Sequence, residues 1–312
     1  MPLARCSSIR DIHRRRHCLQ HVASEEPPPL NGPVRREQHD ATCRQVGLGT
    51  PSGLSPPLDW PVLESGDVYQ FGVAGGASLH RLLAIYNRTT WGFDSFAGLP
   101  AAAASESTLV HRRNKALSWS AGAFRTRHQR APAVPRHSDV RFVQGLFNET
   151  LTPTLAAERG LRPAVYLDID VDRYESSLQA LEWMFAHRLA VVGTVVGYDD
   201  WWTLPCAARD RRVFEHGEAR AHAEISRRHG VRFRCVCGPC VAGVDRRTVG
   251  FRPYFVVEAV GASVPHTGFT MTDDEVASYL GLGGGGSPHD RRTPCGRIAS
   301  EYTIIDRLVR RD

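Results

Sequence analysis

A doubly wound, mostly parallel α/β sheet is the fold predicted for this chain of 312 residues, and three observations predict it. Short apolar stretches alternate with helix-length segments between positions 67 and 196, the rhythm of a parallel sheet with crossover helices. A glycine turn joins the first of these stretches to its helix. Two later stretches each run into carboxylates at their C-terminal ends, the edge of an open parallel sheet at which ligands bind.

The elements follow in order. DVYQF at 67–71 reads as a strand, GVAGGA at 72–77 as the glycine turn, and 78–86 as a helix. Residues 90–93 form the second predicted strand. The polar stretch 101–138 is much longer than ordinary connections and reads as a lid or binding loop. Residues 141–143 are the third strand and 151–159 a helix; 165–167 are the fourth strand and 176–187 its helix; 191–196 are the fifth strand. A helix rich in Glu, Ala and Arg is expected over 215–228. Two strands, 231–237 and 254–258, then read as an antiparallel pair at the sheet edge.

The flanks are different. Residues 1–60 carry Pro27 to Pro29, Pro51, Pro56 and Pro57 among scattered Gly and Arg, and are expected to be a disordered or targeting extension. The folded domain is placed at 61–262. Residues 263–312 lose periodicity and contain four consecutive glycines at 283–286, so they are expected to be a flexible tail.

Composition is that of a globular chain, with 42% hydrophobic and 23% charged residues. The formal charge of +6 is spread over the tails and the loop Arg112 to Arg136, which reads as a solvated surplus rather than a nucleic-acid face. No apolar run reaches about 18 residues, so neither a spanning helix nor membrane attachment is expected. The first residues lack the apolar core of a secretory signal. The expected location is the cytoplasm, with organelle targeting by the Arg- and Ser-rich Met1 to His21 as the alternative.

The chemistry lies in two acid clusters. Residues 164–177 read AVYLDIDVDRYESS, and residues 191–202 read VVGTVVGYDDWW. Asp170, Asp172, Asp199 and Asp200 can converge at the ends of neighbouring strands and hold a hard divalent cation through oxygen ligands. Gly72, Gly75 and Gly76 let a ligand approach the backbone at a helix N-terminus. Asp94 ends the next strand, where an acid can accept ribose hydroxyls. Strand, glycine turn, helix, strand, acid is the nucleoside-binding half of a Rossmann-like fold.

At this point the chain resembles the macrocin O-methyltransferase family, which uses S-adenosylmethionine to methylate sugar hydroxyls of natural products. The matching segments are YQFGVAGGAS (69–78), WGFDSFAGLP (91–100), GLFNETL (145–151), DVDRYESS (170–177), YDD (198–200) and GEARA (217–221). Gln70 stands where the family usually has Glu, and Arg173 where an apolar residue is common. The resemblance implies a class I methyltransferase fold, with Gln70, Gly72, Gly75, Ser78, Asp94 and Ser95 at the S-adenosylmethionine pocket. It also implies Mg²⁺ on Asp170, Asp199 and Asp200, and Asp172 as the base that takes the proton of a small-molecule hydroxyl acceptor. Asp168 shares the alternation of Asp170 and Asp172 but is not in the motif, and is expected to support the site. WSAGAF (119–124) resembles a segment of the acceptor lid.

Cys235, Cys237 and Cys240 invite a zinc reading, with His229 or Cys206 as a fourth ligand. Without a second C-x-x-C they are read as buried free thiols, in keeping with a reducing compartment. A Cys237–Cys240 disulfide would be strained. Two other functions remain open: an oxidoreductase using a nucleotide cofactor on the same half-fold, which the lack of G-x-G-x-x-G disfavours, and an inactive methyltransferase-fold protein. The sequence is compatible with a homo-oligomer and does not name the acceptor.

Overall fold

The computed structural model describes residues 63, 65–100, 121–240, 252–282, 293–296 and 298. The expected N-terminal extension, the first part of the lid and the glycine run at 283–286 lie outside the described residues. Seven strands form one sheet in the order β3-β2-β1-β4-β5-β7-β6. They are β1 (Asp67–Phe71), β2 (Thr90–Asp94), β3 (Val140–Gln144), β4 (Ala164–Ile169), β5 (Val195–Tyr198), β6 (Arg232–Cys237) and β7 (Tyr254–Ala259). The first five run parallel, while β7 is antiparallel to both β5 and β6. This is the doubly wound, mostly parallel sheet expected from the sequence.

The order explains where a site can form. The chain winds outward from β1 through β2 to β3, then crosses back to β4 on the other side of β1. Beyond the C-terminal ends of β1 and β4 the connections part in opposite directions and leave a crevice. Every residue of β1 is buried, as in a strand covered on both faces. Its polar members are therefore partnered: Asp67 pairs with Arg162 and accepts from Trp91 Nε1 at 3.1 Å.

Among the described residues the helices beside the sheet include α1 (Ala77–Ile85), α2 (Phe147–Thr150), α3 (Leu155–Arg159), α4 (Tyr174–Ala186), α5 (Thr203–Ala208), α6 (Gly217–His229) and α7 (Asp273–Leu280). No helix among the described residues is long and apolar enough to cross a membrane. Of the helix expected over 151–159 only Leu155–Arg159 forms, as α3, because Pro153 disfavours a helical residue before it; α2 (Phe147–Thr150) ends before the expected start. The fifth strand begins at Val195 rather than Val191, because residues 191–194 close a turn through Thr194 N–H and Val191 C=O at 2.9 Å.

Two expectations are corrected. The segment after Ala262 is not a free tail as far as Leu282: α7 buries Val276, Tyr279 and Leu280, and Tyr279 lies 5.1 Å from the Trp202 ring. A capping box of Thr272 and Glu275 starts this helix. Its apolar stripe is only three residues, too few to stand out as periodicity. The cysteines are not free thiols either. Cys206 is bonded to Cys295 and Cys235 to Cys240, so the bridge spans the turn after β6 rather than joining Cys237 to Cys240.

Candidate active site

The glycine turn leaves β1 at Gly72, whose φ of 84° is left-handed. A Cβ at this position would stand 1.7 Å from the carbonyl oxygen of Asp170. The turn and the end of β4 are thus packed backbone against backbone, which only glycine permits. Gly72→Ala should cost about 3 kcal/mol or more, the upper range for one substitution, measured by chemical denaturation. Gly75 is the contrast: it is exposed, and nothing lies within 4 Å of its would-be Cβ. Gly75→Ala should leave stability nearly unchanged yet weaken cofactor binding where a ligand lies against the turn; unchanged affinity would remove Gly75 from the pocket assignment.

Asp94 holds this turn in shape. Its Oδ2 accepts the amides of Val73 and Ala74, both at 2.7 Å, and its Oδ1 accepts the Phe96 amide at 2.6 Å. A carboxylate offers about four lone-pair sites, so Asp94 retains room for a ligand hydroxyl while bracing the loop. Ser95 donates to the Gly98 carbonyl and accepts from the Ala97 amide, each at 3.1 Å, and so shapes the next turn. Gln70 is buried beneath the glycine turn rather than on the crevice wall. Its Nε2 donates to Ser78 Oγ at 2.6 Å and to Asp168 Oδ2 at 3.2 Å. Ser78 in turn donates to Asp170 Oδ2 at 3.3 Å, which links the two halves of the crevice. Asp168 also receives the Tyr166 hydroxyl at 2.9 Å, the supporting place expected for it.

Across the crevice stand the other acids. Ligand oxygens of Asp170, Asp199 and Asp200 all lie within 4.8 Å of one another. The Asp199 amide donates to Ile169 C=O at 3.0 Å, continuing the β4–β5 ladder into the turn. Thr203 Oγ1 donates to Asp200 Oδ1 at 2.9 Å. Asp172 follows β4 in the left-handed region, φ 63°, an unfavourable backbone for a non-glycine residue and one that clusters at functional sites.

Crowding of acids shapes their protonation. Enclosure away from water, then the charge of Asp199, pushes Asp170 well above the usual carboxylate range. Enclosure, then the neighbouring Asp200 carboxylate, does the same for Asp172. Arg252, from the segment leading into β7, supplies the facing positive charge through an ion pair with Asp199.

These residues line a crevice of about 570 Å³, a size that suits a cofactor-scale ligand. Gly72, Gly75, Ser78, Asp94 and Ser95 form one wall, and Asp170, Asp172, Asp199 and Asp200 the other. Leu99, Pro100, Phe124, Leu146 and Phe147 add apolar surface. Phe124 belongs to the lid segment anticipated from sequence; Trp119 lies outside the described residues. Sequence reasoning missed Arg252 and Glu218. No motif marks Arg252, whereas Glu218 sits in the GEARA segment and drew no role there.

A sheet of this order, with its last-but-one edge strand antiparallel and its crevice at the β1/β4 switch, defines a methyltransferase fold. The chain belongs to the macrocin O-methyltransferase family, whose sequence profile matches residues 64–226. Among solved structures it is similar to the calicheamicin methyltransferase CalS11 (20% identity, covering 80% of this chain and 94% of that one, TM-score 0.42). It is also similar to the O-methyltransferase NovP (20% identity, 72% of this chain and 80% of that one, TM-score 0.38). No curated protein matches it in sequence.

Proposed function

We propose that this methyltransferase transfers the methyl group of S-adenosylmethionine to a hydroxyl of a sugar-like small molecule, assisted by Mg²⁺. The observation that carries the reading is the convergence of Asp170, Asp199 and Asp200 to within 4.8 Å, opposite the glycine turn and Asp94. Three carboxylates suit a hard cation. Mg²⁺ holds its ligands at about 2.0–2.1 Å, so its oxygens stand at most about 4.2 Å apart, and small side-chain rotations close the difference.

When bound, the ion would supply the positive charge that makes a nearby alcohol more acidic. Asp172 is the proposed base. As the acceptor oxygen attacks the methyl carbon, its proton passes to the Asp172 carboxylate, the carbon–sulfur bond breaks, and S-adenosylhomocysteine leaves. Asp172 lines the crevice beside the acid triad, where a carboxylate can take that proton. The glycine turn and Asp94 hold the nucleoside end of the cofactor, and positioning supplies much of the rate.

The decisive assay is transfer from labelled S-adenosylmethionine to a panel of sugar-bearing hydroxyl compounds, with Mg²⁺ and then with chelator. Binding of S-adenosylhomocysteine together with Mg²⁺-dependent transfer is expected; binding of NAD in its place would sink the reading.

Stability should report the metal independently. Because Asp170 and Asp172 titrate above their ordinary range, the folded chain holds more protons than the unfolded one. Their contribution is fully present below about pH 4 and is lost as pH rises through the raised values. Buried His222 works oppositely. Its titration is pushed down to about 3, so its contribution is lost as pH falls below about 6.5. The metal-free melting temperature should therefore fall as pH rises through the raised range of Asp170 and Asp172, and Mg²⁺ should restore it. At a free concentration 100 times the dissociation constant the gain is about 2.7 kcal/mol. Calorimetric scans that show no response to Mg²⁺ would exclude a resident cation.

A further inference from the structure

One buried carboxylate near the crevice has no part in the reading above. Glu218 lies in the first turn of α6 and is fully buried. Its Oε2 accepts the backbone N–H of Asp200 at 2.9 Å. Its Oε1 is buried with no hydrogen-bond partner among the described residues. Burying a half-satisfied carboxyl beside other acids is unfavourable for folding, so stability alone does not account for its place. Among the described residues, the one hydrogen bond its side chain makes falls on the turn that carries the acid pair. Two successive amides of that turn are fixed from outside, Asp199 N–H by Ile169 of β4 and Asp200 N–H by Glu218. Thr203 then holds the Asp200 carboxylate itself.

We infer that Glu218 is a positioning residue for the cation site: through the Asp200 amide it sets the turn that aims Asp199 and Asp200 at Asp170. The inference rests on the metal reading above. Partners of this kind, which orient ligands without touching the ion, typically carry about 10–100-fold of metal affinity.

The test is calorimetric titration of the full chain with Mg²⁺, with S-adenosylhomocysteine affinity and melting temperature measured in parallel. Glu218→Ala should weaken Mg²⁺ about 10–100-fold and leave the cofactor analogue bound as before. Glu218→Gln keeps a carbonyl oxygen for the Asp200 amide and should bind Mg²⁺ close to the native level. If the alanine variant does not fold, Glu218→Asp carries the test, because it retracts the acceptor by one methylene and should also weaken Mg²⁺. Native Mg²⁺ affinity in either the alanine or the aspartate variant overturns the inference, leaving Glu218 a fold residue only. A glutamine variant as weak as the alanine one also overturns it, since charge and not the hydrogen bond would then matter. If the native chain itself binds no Mg²⁺, the metal reading fails first and the inference falls with it.

Discussion

Asp172→Asn is expected to lower turnover about 10²–10⁴-fold, the usual share of a general base, with cofactor and Mg²⁺ affinities nearly unchanged. The substitution isolates proton acceptance unusually well. Asp172 occupies the left-handed region at φ 63°, and Asn is among the few residues that share that tolerance with Asp. The variant therefore keeps backbone and volume and loses only the carboxylate. It also relieves the crowding with Asp200 that raises the protonation range of the native side chain, so melting temperature at neutral pH should hold or rise. Single-turnover kinetics with a good acceptor, alongside binding titrations, separate the outcomes. Full turnover in Asp172→Asn would mean that the hydroxyl loses its proton elsewhere and that Asp172 is structural.

Asp94→Ala carries the second large effect. Loss of the side chain removes the acceptor for three amides, those of Val73, Ala74 and Phe96, together with any ligand hydroxyl held by the same group. Hydrogen bonds to a charged partner contribute about 1.5–3 kcal/mol each, and the three amides are partly exposed, so water replaces some of that. The expected result is a cofactor affinity lower by a few kcal/mol, in the range of about 10²-fold or more, with a smaller fall in stability. Asp94→Asn should sit between, because its amide oxygen can still accept but its charge is gone. Unchanged affinity for S-adenosylhomocysteine in Asp94→Ala would remove this wall of the crevice from the cofactor site.

Much of this architecture is legible in the chain because its signals are local. DVYQF followed by glycines, WGFD, and AVYLDI each announce a buried strand by an unbroken apolar core of the right length, and all three form. The acids at 170, 172, 199 and 200 mark the C-terminal ends of β4 and β5 in the same way. Where the reading slipped, the deciding interaction was distant or quantitatively small. The turn at 191–194 absorbs two valines that look like strand. Pro153 delays to Leu155 a helix that composition alone starts at Leu151. The pairing of Cys206 with Cys295 joins positions 89 apart in sequence, and nothing near either cysteine indicates it.

The sequence by itself determined the order of strands and helices, the glycine turn and the identity of the acids, because hydrophobic period and turn chemistry act over a few residues. Only the tertiary structure decided how those acids are held. Arg252 reaches Asp199 from the approach to the antiparallel strand β7, Glu218 reaches the Asp200 amide from α6, and Gln70 turns under the glycine loop instead of facing the crevice. Each of these depends on which side chains the fold brings within hydrogen-bond reach across tens of residues. Such contacts obey burial and satisfied polarity, and those are properties of the packed chain rather than of any segment in it.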